Sequence, residues 1–149
     1  MAEKKSKIVH VHLPEEEPFK TTLTAGHHKL IADEPENVEG GSDQGPDPYD
    51  YLLMSLGSCT VMTVKMYARK NDYPLEDLFV ELKHHKRHEE DCENCENEQS
   101  KIDSIEVELI TEGELSDEQS DKLLEISKKC PVHRTLKSDI QIESSIENR

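Results

Sequence analysis

The sequence predicts an α+β protein in which antiparallel strands lie on either side of a central helix. Three observations carry that class. Residues 7–13, 19–24 and 28–32 alternate in side-chain character with the period of a strand, broken by Pro14 and the acidic run after it, and the alternation returns at Leu78. Between them, the stretch 47–73, DPYDYLLMSLGSCTVMTVKMYARKNDY, is the longest apolar-rich run in a very polar chain. Further on, Ser116-Asp117-Glu118-Gln119 has the capping-box pattern ahead of the apolar Leu123, Leu124 and Ile126.

Composition narrows the functional classes. A chain of 149 residues predicts one domain. Only 33% of the residues are hydrophobic and none is Trp, so the core is built from Leu, Ile, Val and Met. Such a core is thin for a monomer, and a homodimer that pools it is expected. The formal charge of −15 comes from 33 acidic and 18 basic groups spread along the chain. An acidic surface repels phosphate backbones, so nucleic acid is not an expected partner. The start, MAEKKSKIVHVHL, has no apolar segment of the signal-peptide kind. No run approaches the roughly 20 apolar residues of a membrane span, so no membrane association and a cytoplasmic location are expected. In that compartment four cysteines point to catalysis, redox chemistry or metal binding before a disulfide framework.

The elements follow in order. Val9, Val11 and Leu13 alternate with Ile8, His10 and His12. Phe19, Thr21 and Leu23 do so with Lys20, Thr22 and Thr24, and after a turn at Ala25-Gly26 the alternation restarts at His28, Leu30 and Ala32. This predicts a meander or hairpin. His10, His12, His27 and His28 are read as polar strand faces, because no spacing among them closes a metal site. Residues 33–46, with Pro35, Gly40, Gly41, Gly45 and Pro46, form a loop long enough to carry a function or to reach across a dimer. The helix then starts with Asp47 as N-cap, Pro48 in the first position and Asp50 in the first turn. Leu52, Leu53, Leu56, Val61, Met62, Val64 and Met66 are spread widely around its axis, which predicts burial on most sides. Gly57 costs about 1 kcal/mol in a helix interior, so a close neighbour is expected there. Leu78, Val80 and Leu82 open another strand, expected to end in a polar connection over 84–101, and Ile102, Ile105, Val107 and Leu109 resume the pattern. After the second helix, Cys130-Pro131 opens a short one with Cys130 as its N-cap. Ile140, Ile142 and Ile146 predict a terminal strand.

Two cysteines stand where chemistry is plausible on local grounds. A thiol reacts as thiolate, and helix amides together with His133 and Arg134 surround Cys130. Cys59 lies within the apolar helix, where a cysteine usually behaves as a small hydrophobe; a reactive Cys59 needs charge from a tertiary neighbour.

GPDPYDYLLMSLGSCTVMTVKMYA, followed far downstream by KKCPVHRTLKSDIQIE, resembles the OsmC/Ohr family of hydroperoxide reductases. The likeness runs from about Gly40 to Ile146. It rests on a Pro eleven residues before the first Cys, small residues beside it, and a Cys-Pro pair opening the last helix. Within the family the chain is most similar to a branch with a Cys-x-x-Cys insertion between two strands. The resemblance implies an intertwined homodimer, with antiparallel sheets around two central helices and active sites at the interface. It implies a peroxidase: Cys59 attacks an organic hydroperoxide or hydrogen peroxide and becomes a sulfenic acid, Cys130 closes a Cys59–Cys130 disulfide, and an external dithiol, lipoyl or thioredoxin-like, reduces it. No metal or organic cofactor is required for that chemistry. The family holds the thiolate with an Arg–carboxylate pair, and Asp50 occupies a carboxylate position. The chain has no Arg before Arg69; Lys29, His27, His28 and Arg134 are the candidates for its place.

A second constellation, His84-x3-His88-x3-Cys92-x2-Cys95, has zinc-type ligands and the Cys-x2-Cys knuckle spacing. Three readings stay open: a zinc site, a redox-active or structural Cys92–Cys95 pair, and a polar loop with no role. Two functional hypotheses follow for the chain: a thiol peroxidase, and a non-enzymatic metal- or thiol-binding dimer that keeps the fold.

Overall fold

The computed structural model describes residues 6–88 and 101–149. It is α+β, with antiparallel sheets and three helices, and divides into two compact units, residues 1–52 and 53–149.

The first unit holds a three-stranded meander in the order β1 (His10–His12), β2 (Thr21–Ala25), β3 (His28–Ala32). The hairpin register pairs Ala25 with His28, which leaves Gly26 and His27 as the two turn residues. Gly26 takes φ +62°, the left-handed region that glycine enters without a Cβ penalty. The turn expected at Ala25-Gly26 is therefore present.

The 33–46 loop folds back on itself instead of reaching outward. Asp33 N–H donates to Pro46 C=O at 3.1 Å, closing the loop at its base. The buried Asp33 carboxylate accepts from Glu34 N–H at 2.8 Å and from Gln44 N–H at 3.1 Å. Compact loops of this length with adjacent ends are packed by their own groups; here one carboxylate spans both limbs. α1 (Pro48–Lys70) then begins with a reciprocal cap. Asp50 N–H donates to Asp47 Oδ1 at 2.8 Å, and Asp47 N–H donates to Asp50 Oδ2 at 3.1 Å. Tyr51 Oη donates to Ile31 C=O at 2.5 Å and ties the first helical turn to β3.

In the second unit, β4 (Asp77–His88) and β5 (Lys101–Glu112) form a long antiparallel pair. β4 runs further than expected: His84 to His88 continue the ladder, opposite Ile105 to Lys101. The expected polar connection thus starts later than residue 84, because the ladder is made by backbone groups, which a run of polar residues supplies as well as apolar ones. α2 (Asp117–Ser127) starts with the capping box read from its sequence, Ser116 and Gln119 bonding reciprocally at 3.0 and 3.1 Å. α3 (Pro131–Lys137) follows, with Cys130 as N-cap.

One stripe of α1, Leu56, Gly57, Thr60, Val64 and Ala68, is buried. Val64 and Ala68 form the core cluster with Leu123 of α2, lined by Tyr67, Tyr73, Leu75, Leu78, Leu109 and Leu115. Gly57 faces β4: a Cβ there would stand 2.7 Å from Leu82 Cδ1 and 3.4 Å from Val80 Cγ1. The close neighbour expected at Gly57 is Leu82. Burial on most sides of α1 does not occur within one chain, since Met62 and Met66 are each 68% exposed. One strand pair and one helix cover one stripe of a helix and no more.

The terminal strand is absent: residues 139–149 have no regular structure, and Ile146 is 95% exposed. A strand needs a partner for its backbone groups, and the described residues of this chain supply none there. No helix among the described residues is long and apolar enough to cross a membrane.

Two outcomes are expected. Leu123→Ala removes the centre of the core cluster and lowers unfolding stability by about 2–5 kcal/mol, measured by urea titration; a smaller loss places the core elsewhere. Burial pushes the Asp33 carboxyl up, but the amides of Gln44, Glu34 and Ser42 and the charge of Lys20 hold it below its ordinary value. A depressed carboxylate contributes stability above its unfolded pKa of about 3.9 and loses it as pH falls through the lower folded value. Asp33→Asn therefore melts earlier than the parent at pH 7, and in a thermal scan across pH the two converge only as the pH falls below the folded carboxyl's depressed value.

Candidate active site

Cys130 is set by two sequence facts. Pro131 has no N–H to continue the preceding helix but fits the first position of a new one, which leaves Cys130 in extended backbone (φ −64°, ψ 143°) as N-cap. Its side chain does what N-caps do: His133 N–H donates to Cys130 Sγ at 3.3 Å. Cys130 is 0% exposed. Across from it, Thr60 Oγ1 on α1 lies 3.8 Å from Sγ. The Thr60 hydroxyl also donates to Leu56 C=O at 2.8 Å.

That contact locates Cys130 relative to Cys59. Thr60 directly follows Cys59, so bond lengths alone keep the Cys59 Cα within about 10 Å of Cys130 Sγ. Cys59 and Cys130 are both free thiols, Cys59 half-buried and Cys130 buried. The Cys59 side chain makes no hydrogen bond or ion pair among the described residues.

A cavity of about 220 Å³ lies next to Leu56 and His133 and is lined by neither cysteine. Leu56 of α1, Ile105 and Val107 of β5 and Leu136 of α3 give it an apolar lining. His133 and Lys137 from α3 and Asp103 from β5 add polar groups. Asp103 Oδ1 also meets His84 Nε2 at 2.9 Å, a diagonal pair across the β4–β5 ladder.

The remaining site residues from the sequence fall elsewhere. Asp50 lies in the first turn of α1, where its carboxylate caps the helix. It precedes Cys59 by nine positions, about 13.5 Å of helical rise. His27 and His28 stack at the β2–β3 turn with ring centroids 4.0 Å apart, and Lys29 follows them on β3. Arg134 is exposed on α3. His84 and His88 lie on one strand, four residues and about 13 Å apart at Cα. Cys92 and Cys95 lie outside the described residues. Among the described residues no cluster of three or more His, Cys, Asp or Glu is arranged to hold a metal.

Thr60 is the residue that sequence reading passed over. Its signal was present: a hydroxyl at the i+4 position of a buried stripe, between Leu56 and Val64 and next to Cys59.

Taken together, the fold and the site define an α+β protein in which the buried thiol of Cys130, at the start of α3, packs against Thr60 of α1, the residue after Cys59. The OsmC-like protein family model matches residues 41–145, and the chain belongs to that family. Solved structures share the fold. An OsmC-like protein from Mycoplasma pneumoniae is 18% identical with a TM-score of 0.70, covering 90% of this chain and 89% of its own. An organic hydroperoxide resistance protein OsmC from Legionella pneumophila is 16% identical with a TM-score of 0.64, covering 89% and 90%. An organic hydroperoxide resistance protein from Elizabethkingia anophelis is 13% identical with a TM-score of 0.63, covering 93% and 94%. No curated protein sequence matches the chain.

Accessibility separates the two thiols. Iodoacetamide should label Cys59 faster than Cys130 in the native protein and both equally in urea, as read by peptide mass spectrometry. Equal native rates would contradict the enclosure of Cys130.

Proposed function

We propose that this protein is a thiol-dependent peroxidase that reduces organic hydroperoxides and works as a homodimer. What supports the reading is the contact of Cys130 Sγ, the N-cap thiol of α3, with Thr60, the residue after Cys59 on α1. Two of the structural relatives are themselves organic hydroperoxide resistance proteins, which supports the substrate class.

The reaction balances with the chain's own groups and an external dithiol. The Cys59 thiolate attacks the distal oxygen of the hydroperoxide; the S–O bond forms as the O–O bond breaks, and the alkoxide takes a proton and leaves as the alcohol. Cys59 is then a sulfenic acid. The Cys130 thiolate attacks its sulfur, the S–S bond forms, and hydroxide leaves and is protonated to water. A dithiol such as a lipoyl group or a thioredoxin-like protein reduces the disulfide by two exchange steps. The apolar lining of the neighbouring cavity suits the organic part of the peroxide. In this reading Asp50 is the carboxylate of the family's Arg–carboxylate pair, Lys29, His27, His28 or Arg134 takes the place of the Arg, and the cysteine chemistry requires no metal.

The exposed face of α1 supports the dimer. Met54, Met62 and Met66 are exposed on the helix, and Ile8, Val9, Val11 and Leu13 before and along β1 are exposed as well. A second copy covers such apolar surface, and it also offers partners to the unpaired 139–149 segment.

Reduced protein treated with cumene hydroperoxide should lose the free Cys59 thiol within about one equivalent and gain a Cys59–Cys130 disulfide. Mass spectrometry after proteolysis reads both. A Cys59 that stays a thiol after many equivalents leaves the non-enzymatic reading. Asp50→Asn keeps an oxygen that accepts the cap hydrogen bond but removes the charge. It should slow Cys59 oxidation about ten-fold or more, the effect of losing one charged contact, while the melting temperature stays close to that of the parent.

A further inference from the structure

Cys130 presents a problem that the peroxidase reading does not solve by itself. Its sulfur is 0% exposed, and water does not solvate it. Yet to attack an oxidised Cys59 it must change from S–H to thiolate. A neighbour that only donates suits the second state, and a neighbour that only accepts suits the first. The backbone N–H of His133 is a donor in either case. A hydroxyl can both donate and accept, and the hydroxyl that touches this sulfur is that of Thr60, at 3.8 Å.

The bonding of Thr60 allows the change of role at little cost. Its hydroxyl proton rests on Leu56 C=O at 2.8 Å, which leaves oxygen lone pairs free to accept from the Cys130 S–H. In an α-helix the same Leu56 carbonyl also accepts the Thr60 backbone N–H. When the hydroxyl turns its proton towards a thiolate, Leu56 C=O keeps its helical bond and no buried group is orphaned. Thr60 is 1% exposed, so water does not compete for the place.

We propose that Thr60 is a positioning residue for the resolving step: its hydroxyl holds Cys130 Sγ on the Cys59 turn of α1 in both the thiol and the thiolate state, and so sets the rate of disulfide closure. The inference rests on the peroxidase reading only for the identity of the oxidised Cys59. In the closing step the Cys130 thiolate attacks the Cys59 sulfur, S–S forms, and the group on Cys59 leaves; the Thr60 proton stays on Thr60.

The competing account is plain packing, since a threonine in a helix commonly bonds the i−4 carbonyl and fills a core position. Two variants separate them. Thr60→Val keeps the branched shape and removes the hydroxyl. Thr60→Ser keeps the hydroxyl and removes the methyl. In a Cys92→Ser/Cys95→Ser background, Cys59 is converted with 5,5′-dithiobis(2-nitrobenzoate) to a mixed disulfide. Cys130 then displaces the second aromatic thiolate, and its release is followed by stopped flow. This readout uses no peroxide, so it is independent of whether the protein reduces one. A parallel run with cumene hydroperoxide and dimedone trapping of the sulfenic acid tests the peroxidase reading separately.

Thr60→Val should close about ten-fold more slowly than the parent, the cost of one hydrogen bond to a charged sulfur, while Thr60→Ser closes at the parental rate. In the peroxide run, Thr60→Val should accumulate dimedone adduct on Cys59. A fast Thr60→Val together with a slow Thr60→Ser assigns Thr60 to packing and overturns the proposal, as does equal closure in all three. Should Thr60→Val fail to fold by circular dichroism, Thr60→Ser decides: the parental rate supports the hydroxyl and a slow rate overturns it. Failure of Cys59 to form a sulfenic acid removes the peroxidase reading and leaves the closure measurement standing.

Discussion

One buried stripe on α1 organises the second unit. Leu56, Thr60, Val64 and Ala68 recur at four-residue intervals, and Gly57 lies beside them. Each position receives something different. Val64 and Ala68 take Leu123 of α2, Gly57 admits Leu82 of β4, and Thr60 meets Cys130 at the start of α3. The stripe is thus at once the core and the link between the two thiols. A protein with so few apolar residues has little else to pack with, so the stripe that stabilises the helix is also the surface that Cys130 packs against.

That economy explains why Cys130 is both enclosed and poised. As an N-cap it satisfies the His133 amide, a structural task. Facing α1, it meets a hydroxyl and not a methyl. A sulfur in a wholly apolar pocket would be inert, and an exposed one would be open to any oxidant. The arrangement in this chain lies between those limits. Cys59, half-buried next to Thr60, is the more accessible of these two thiols.

The apolar surface left on α1 and on β1 is the other consequence of a thin core. Met62 and Met66 lie away from the buried stripe and are each 68% exposed. The same holds for the isoleucines after α3, whose strand-like alternation finds no ladder. These features have one physical cause: the chain carries the pattern of buried elements, but its described residues supply too few neighbours to bury them.

Much of this was legible in the residues themselves. The start of α1 at Asp47-Pro48, the turn at Gly26, the capping box at Ser116 and Gln119, and Cys130 as N-cap are local devices, in which a side chain bonds amides within a few residues of itself. Local bonding leaves a local signature, so the sequence determined these elements and the α+β class. The motifs around Cys59 and Cys130 also pointed to the family. What only the tertiary structure decided is whatever joins distant parts of the chain. Periodicity placed apolar residues on α1 but could not say how many neighbours would cover them. Alternation in β4 could not say whether polar residues stop a strand, because a ladder is made by backbone groups on a partner strand. Asp33 closes its loop across eleven residues, and Thr60 meets Cys130 across seventy. Neither contact leaves a mark in the intervening sequence, since folding brings together groups whose chemistry is complementary without regard to their separation along the chain.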